Sequence, residues 1–289
     1  MSTLSEALKS GQFVVTSELG PPKGVDIEEM MADIELLRER VVALNVTDQQ
    51  SSVMRLGSLA VCHLLKERGI EPIFQMTCRD RNRIALQSDL LSASVLGIEN
   101  VLCLTGDYTS LGDHPEAKPV FDLDSVSLLE TAVRLQQGHD LAAKELKGSP
   151  NFFLGAVVTP GADPIEPQIL KMEKKIKAGA RFFQTQAVYE PEEFERFMSS
   201  VKHFNVPVLA GLILLKSAGM ARFMNRNIAG VHVPDSLIEE MDKAENKRQR
   251  SIEIAARLIK DLRHLCHGIH IMPIGWEKLV PAVLDAAGL

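Results

Sequence analysis

The chain has 289 residues, 45% of them hydrophobic, enough to bury one large core of the size that a one-domain (β/α)8 barrel needs. Its 32 Lys and Arg against 38 Asp and Glu give a net charge of -6, so no global positive field gathers nucleic acid or anionic lipid. The first eleven residues lack the basic start and apolar run of a secretory signal, no apolar stretch reaches membrane-spanning length, and a cytoplasmic location is expected.

After a polar, helix-like start, short β-branched or apolar runs alternate with stretches of helical periodicity, the pattern of a parallel sheet covered by helices. Strands are expected at Phe13–Leu19, Val41–Thr47, Pro72–Thr77, Val101–Thr105, Phe152–Val158, Arg181–Gln186, Val206–Leu212 and Gly268–Met272. Helices are expected between them near Asp26–Glu39, Arg55–Arg68, Arg83–Leu96, Ser125–Glu145, Glu166–Ala178, Glu192–Lys202 and Gly219–Asn225. Gly69, Gly97 and Gly179 each follow a helical stretch where a left-handed residue ends the helix. The stretch Pro234–Leu265 carries two amphipathic helices and no strand, an insertion before the last strand, and its Lys243, Lys247, Arg248 and Arg250 read as a solvated helix face.

An open doubly wound sheet would show a Gly-rich fingerprint after the first strand; here Leu19-Gly20-Pro21-Pro22 follows, and its prolines offer no N–H to a phosphate. The expectation is therefore an α/β fold, a (β/α)8 TIM barrel with extra helices before the last strand, spanning 1–289 as a single catalytic domain. Cys62, Cys78, Cys103 and Cys266 are scattered without a C-x-x-C pair and read as structural, and the histidines show no metal-ligand spacing, so no metal is expected. His264, His267 and His270 receive no role, for want of carboxylate partners.

Catalytic groups of a barrel stand at the C-terminal ends of its strands, and polar residues recur there: Glu18, Thr47 and Asp48, Thr77, Asp107, Thr159 and Gln186. Glu18, at the mouth of an apolar strand, suits either a general acid or a salt-bridged rim carboxylate. Asp107 after Gly106 can face a cationic or polarised centre, or close an Asx-turn. Gln186 can present its amide to a heterocycle edge or bond to its neighbours. Arg79, Arg81 and Arg83 in one strand-to-helix turn suit an anion or a solvated helix start capped by Asp80 or Asn82. The residues themselves leave each pair of readings open.

In order along the chain, Thr16-Ser17-Glu18-Leu19-Gly20-Pro21-Pro22, Asn45-Val46-Thr47-Asp48, Gln75-Met76-Thr77-Cys78-Arg79-Asp80, Leu104-Thr105-Gly106-Asp107, Lys175-Ile176-Lys177-Ala178-Gly179-Ala180 and Thr185-Gln186 resemble the motifs of the methylenetetrahydrofolate reductases. The resemblance runs nearly end to end. It implies flavin-dependent reduction of 5,10-methylenetetrahydrofolate to 5-methyltetrahydrofolate, with Glu18 as proton donor, Asp107 near flavin and folate, and Gln186 on the folate. Flavin contacts are implied at Thr47, Gln75, Thr105, Gly106, Asp107, Thr159 and Lys175. Gln75, Thr105 and Thr159 stand where the well-known bacterial enzymes have His, Arg and Tyr. Gln168 and Lys171 differ near the adenosine end of FAD, so FAD is the family's cofactor and FMN the alternative.

NADH, NADPH or an iron–sulfur partner subunit is implied as reductant, since the motif variants resemble reductases of anaerobic one-carbon pathways, and an oligomer is expected. The sequence ends after the barrel, so S-adenosylmethionine is expected to have no effect. In the implied chemistry Glu18 assists opening of the methylene bridge and ionised Asp107 stabilises the resulting iminium. The rivals are a folate-binding barrel methyltransferase that passes a methyl group to a corrinoid protein, and a non-catalytic barrel serving as an assembly subunit.

Overall fold

The computed structural model describes residues 2–289. Eight parallel strands close into a barrel in sequence order, β1 Val14–Leu19, β2 Ala43–Val46, β3 Pro72–Thr77, β4 Asn100–Leu104, β5 Phe153–Val158, β6 Phe182–Ala187, β7 Val208–Ile213 and β8 Gly268–Met272. Closure is made by β1 against β8, with Val14 opposite Gly268 and Ser17 opposite Ile271. The expected (β/α)8 barrel is the observed one, and every expected strand lies within two residues of its place.

The helices follow the alternation: α1 Thr3–Lys9, α2 Glu28–Leu37, α3 Ser58–Glu67, α4 Arg83–Val95, α5 Ser125–Gln136, α6 Glu166–Lys177, α7 Pro191–Val201, α8 Ala218–Asn227, α9 Asp235–Lys243, α10 Lys247–Leu262 and α11 Val280–Ala287. The insertion before the last strand is present as α9 and α10, whose buried Leu237, Ile238, Met241, Ile254, Leu258 and Leu262 recur at helical spacing against the barrel. Gly69, Gly97 and Gly179 all have positive φ, as left-handed helix stops require.

Three elements depart from expectation. α5 ends at Gln136 rather than near Glu145, because Gly138 at φ 83° closes it and the following chain folds back in an antiparallel bridge between His139 and Glu145. α11 was not anticipated, although its Val280, Val283, Leu284 and Ala287 are all buried. The polar N-terminal stretch hides an apolar stripe: Leu4, Ala7 and Leu8, at helical spacing, join Val14, Ala43, Ile73, Leu102, Phe182 and Leu209 in a cluster at the N-terminal end of the barrel. Helix α1 therefore stoppers the bottom of the barrel.

Strand alternation fills the interior in layers. The lowest layer is apolar, with Phe153 stacked on Phe182 at 5.0 Å between centroids. A Cβ on Gly155 would come within 2.2 Å of the Phe182 ring, so only glycine lets that ring lie across the barrel. Two residues further up β1, β2, β6 and β8 the interior turns polar, with Thr16, Asn45, Gln184 and His270 all buried. Above them stand Glu18, Gln75, Thr77 and Gln186 at the C-terminal mouth. Layers of aliphatic side chains give way to hydrogen-bonding ones only toward the mouth, which is where a polar ligand can be held.

Candidate active site

The loops after β2, β3 and β4 are bound together before any ligand is considered. Arg79, fully buried, pairs with Asp80 at 2.7 Å and donates from Nη1 to the Asp107 carbonyl and from Nη2 to the Gln49 carbonyl, at 3.3 and 3.2 Å. Asp48 accepts from the backbone N–H and hydroxyl of Thr77, at 2.8 and 2.9 Å, and from Arg81. Asp113 accepts from Lys23 and from the Met54 N–H, joining the first, second and fourth loops. The Lys23 ammonium beside Asp113 holds that carboxyl well below the usual range. Arg83 pairs with Asp122 at 2.8 Å, and Asn82 caps α4 through the Ile84 and Ala85 N–H groups. All three arginines are thus taken up within the protein, and the turn is a helix start, not an anion cradle.

The mouth encloses a cavity of about 290 Å³ whose walls include Glu18, Gln75, Thr105, Gly106, Asp107 and Gln186. A broader hollow of about 550 Å³ shares Thr105 and Gly106 with it and continues over Tyr108, Phe121, Leu123 and Asp124, where Tyr108 and Phe121 meet edge to face at 5.7 Å. Six of the nine residues to which the resemblance gives a role therefore converge, and the strand-end Asp48 and Thr77 stand with them. Thr47, Thr159 and Lys175 do not line either space. Thr47 is buried with its hydroxyl 3.5 Å from the Leu19 carbonyl, Thr159 packs beneath Gly230, and Lys175 donates from Nζ to the Val157 carbonyl at 2.6 Å. Burial pulls the Lys175 ammonium down to about 8, with Lys171 adding to the effect and Asp124 opposing it.

The lining groups divide by whether they already have partners. Glu18 is fixed, its Oε1 accepting from Gln50 Nε2 at 2.6 Å and its Oε2 lying 3.5 Å from His270 Nε2. Thr105 Oγ1 accepts from the Ser125 N–H at 3.1 Å, anchoring the start of α5. Among the described residues, the side chains of Gln75, Asp107 and Gln186 make no hydrogen bond at all, yet all three face the same cavity. Gln75 is 8% exposed and lines the cavity, so its amide has no partner within the protein and is turned to that space. Gly106 has φ +97°, and an added Cβ would sit 3.1 Å from Thr77 Cβ and 3.2 Å from Arg79 Cβ, which keeps this wall pure backbone.

His270 corrects the sequence reading, which gave it no carboxylate partner. Its strand β8 closes against β1, so the imidazole meets Glu18 and also stands 3.0 Å from Thr16 Oγ1 through Nδ1. Barrel closure was already implied by eight units, and with it the adjacency of the first and last strands; that was the available signal. Gln50 had none, because it reaches Glu18 through a turn in which Gln49, Ser51 and Ser52 all take positive φ.

Burial pushes the Cys78 thiol up to about 12 and Cys62 and Cys103 well above the ordinary value, which makes these thiols inert packing groups. No group of three or more His, Cys, Asp or Glu among the described residues is arranged to hold a metal ion. Nor is any helix among them long and apolar enough to cross a membrane. The basic cluster of the insertion is largely paired: Lys243 with Glu239 at 2.9 Å, and Arg250 with Glu240 at 3.2 Å and Glu253 at 3.0 Å.

The chain is 25% identical over 314 aligned residues to methylenetetrahydrofolate reductase 2 of Schizosaccharomyces pombe, covering 99% of this chain and 47% of that protein. It is 24% identical to 5,10-methylenetetrahydrofolate reductase of Salmonella typhimurium, over 96% of this chain and 92% of the relative. The chain spans about half or less of the length of the first eukaryotic relatives it matches. Among solved structures, an uncharacterized protein from Clostridium thermocellum, described as binding two copies of 5-methyl-5,6,7,8-tetrahydrofolic acid, superposes with a TM-score of 0.65 at 19% identity, over 98% of this chain and 97% of that one. The family model described as methylenetetrahydrofolate reductase matches residues 3–288, the whole barrel together with its helical stopper, and the chain belongs to that family.

Proposed function

We propose that this protein reduces 5,10-methylenetetrahydrofolate to 5-methyltetrahydrofolate with a bound flavin, with Glu18 as general acid and Asp107 as the anion that stabilises the opened substrate. The observation that carries this reading is the convergence of Gln75, Asp107 and Gln186, all without side-chain partners, on a cavity whose far wall is Glu18. Amide groups that the fold leaves without protein partners and turns toward a cavity offer donors and acceptors to the edge of a flat heterocycle. The binding of a methylated folate by the Clostridium thermocellum protein and the names of the curated relatives support a reduced folate as that heterocycle.

The donor set also fits a flavin. The amide of Gln75 and the exposed backbone at Gly106 can meet a polar ring edge, and the adjoining hollow over Tyr108 and Phe121 is open to the rest of the molecule. Gln75, Thr105 and Gly106 would hold it, and when bound it supplies hydride to the substrate. FAD is the family's cofactor and FMN fits the same donors; NADH, NADPH or a partner subunit would supply the electrons.

The methylene bridge must open at a C–N bond before its carbon can accept hydride. A proton delivered from Glu18 to the departing nitrogen makes that nitrogen a better leaving group, and the carboxylate of Asp107 offsets the positive charge of the iminium that remains. Gln186 holds the pterin edge so that the two carboxyl groups act on one substrate. The test is spectroscopic: purified protein, reconstituted with FAD or FMN, should be yellow, bleach with reductant and reoxidise on addition of methylenetetrahydrofolate. A protein that binds no flavin but transfers the methyl group of methyltetrahydrofolate to a corrinoid would establish the methyltransferase instead.

A further inference from the structure

The polar layer beneath Glu18 is a chain of hydrogen bonds with a direction. Asn45 on β2 and Gln184 on β6 exchange two amide bonds across the barrel, Asn45 Nδ2 to Gln184 Oε1 at 2.7 Å and Gln184 Nε2 to Asn45 Oδ1 at 3.0 Å. The second hydrogen of Gln184 Nε2 goes to Thr16 Oγ1 at 3.4 Å. Thr16 stands 3.0 Å from His270 Nδ1, and His270 Nε2 stands 3.5 Å from Glu18 Oε2. Thr16, Asn45, Gln184 and His270 are each at most 3% exposed, so water does not compete for these bonds.

A hydroxyl that already accepts from Gln184 keeps its own hydrogen free to donate. Its neighbour there is His270 Nδ1 at 3.0 Å, and a hydrogen donated to it makes Nδ1 the unprotonated ring nitrogen of a neutral imidazole, with the ring hydrogen on Nε2. We propose that the Asn45–Gln184 amide pair, acting through Thr16, holds neutral His270 in its Nε2-protonated form so that the ring presents an N–H to Glu18, which makes Gln184 a positioning residue of the candidate acid. The consequence rests on the reading of Glu18 as proton donor. With Gln50 donating to Oε1 from the loop after β2 and His270 directed at Oε2 from the barrel interior, both carboxyl oxygens face N–H groups, and a proton carried by Glu18 is left the remaining direction, into the cavity that Glu18 lines. The opposite tautomer would place a bare Nε2 lone pair against Glu18 and draw that proton inward, away from substrate.

Side-chain nitrogen-15 NMR of histidine-labelled protein tests the chain directly, with His270→Gln used to assign the His270 signals among eight histidines. At a pH where the ring is neutral, His270 should show a pyridine-type Nδ1 and a pyrrole-type Nε2; the reverse pattern in the unsubstituted protein overturns the proposal. Gln184→Glu puts an acceptor where the donor stood, so it should reverse the two signals. An unchanged spectrum in folded protein also overturns the proposal. Should that buried carboxylate prevent folding, Thr16→Val, nearly isosteric, should replace the single-tautomer pattern with intermediate shifts for both nitrogens, and retention of the pattern again decides against the chain. These spectra are taken without substrate and stand whether or not the protein reduces folate. If it does, Gln184→Glu should slow the folate half-reaction and leave flavin reduction at its original rate; equal slowing of both would refute the aiming role.

Discussion

Glu18 and Asp107 are both carboxylates at strand ends, but the protein treats them differently. Glu18 is 8% exposed and held by Gln50 and His270, whereas Asp107 is exposed, carries no side-chain bond and meets the cavity freely. The first arrangement suits a proton donor with one fixed aim, the second an anion that adjusts to a charge developing nearby. Glu18→Gln keeps the shape and removes the transferable proton. The folate half-reaction should fall by about 10² to 10⁴, the usual contribution of general acid catalysis, while flavin binding and flavin reduction are spared. Stopped-flow traces of the two half-reactions separate the effects, and near wild-type reoxidation by methylenetetrahydrofolate would reduce Glu18 to a rim carboxylate. On the proposed reading, Asp107→Asn removes a negative charge beside the flavin, so the anionic reduced form becomes easier to make. Its midpoint potential should rise and folate reduction should slow; a potential that falls or stays fixed takes Asp107 out of the flavin's surroundings.

At the scale of elements, the strand pattern was legible because parallel barrel strands are short apolar runs, and the helix stops were legible because Gly69, Gly97 and Gly179 meet a steric demand. The first helix was legible as a helix but not as a stopper, since Leu4, Ala7 and Leu8 form an apolar stripe too short to stand out in a polar segment, and its meaning depends on the open barrel end it covers. The polar interior layer was readable in principle. Thr16, Asn45, Gln184 and His270 each stand two residues before a strand-end position, which alternation sends inward. What the sequence could not supply was the distance across the barrel that joins β2 to β6. Helix α6 carries a further consequence of burial. Lys175 sits near 8 when folded against an ordinary 10.5, so between those values the unfolded chain binds more protons than the folded one. Stability attributable to this group therefore rises as pH rises from about 8 to about 10.5, and is at its lowest below that window. Denaturant melts of the protein and of Lys175→Met should converge or cross over this range, with the unsubstituted protein gaining relative to the variant; a constant difference would mean that the amine is not depressed.

The whole molecule brings Gln75, Asp107 and Gln186, whose side chains have no protein partner, together at one end of one barrel. The strand order runs without interruption from β1 to β8, the opposite end is stoppered by α1, and the cavity bounded by Glu18, Gln75, Asp107 and Gln186 measures about 290 Å³. On the proposed reading this mouth is where a second ring meets the flavin. With NADH or NADPH as donor, nicotinamide and folate must then use the same face in turn, and the first product has to leave before the second substrate enters. Double-reciprocal plots at several fixed concentrations of the other substrate should be parallel, the mark of a ping-pong sequence. Each substrate in excess should also inhibit by competing for the form of the protein that awaits the other. The flavin makes the two halves observable separately: anaerobic mixing with NADH should bleach it completely in the absence of folate, and methylenetetrahydrofolate added afterwards should restore the colour in the absence of nucleotide. Intersecting lines, or a ternary complex of protein, folate and nicotinamide detected by equilibrium binding, would require a second site outside this mouth and would rule out alternating occupancy.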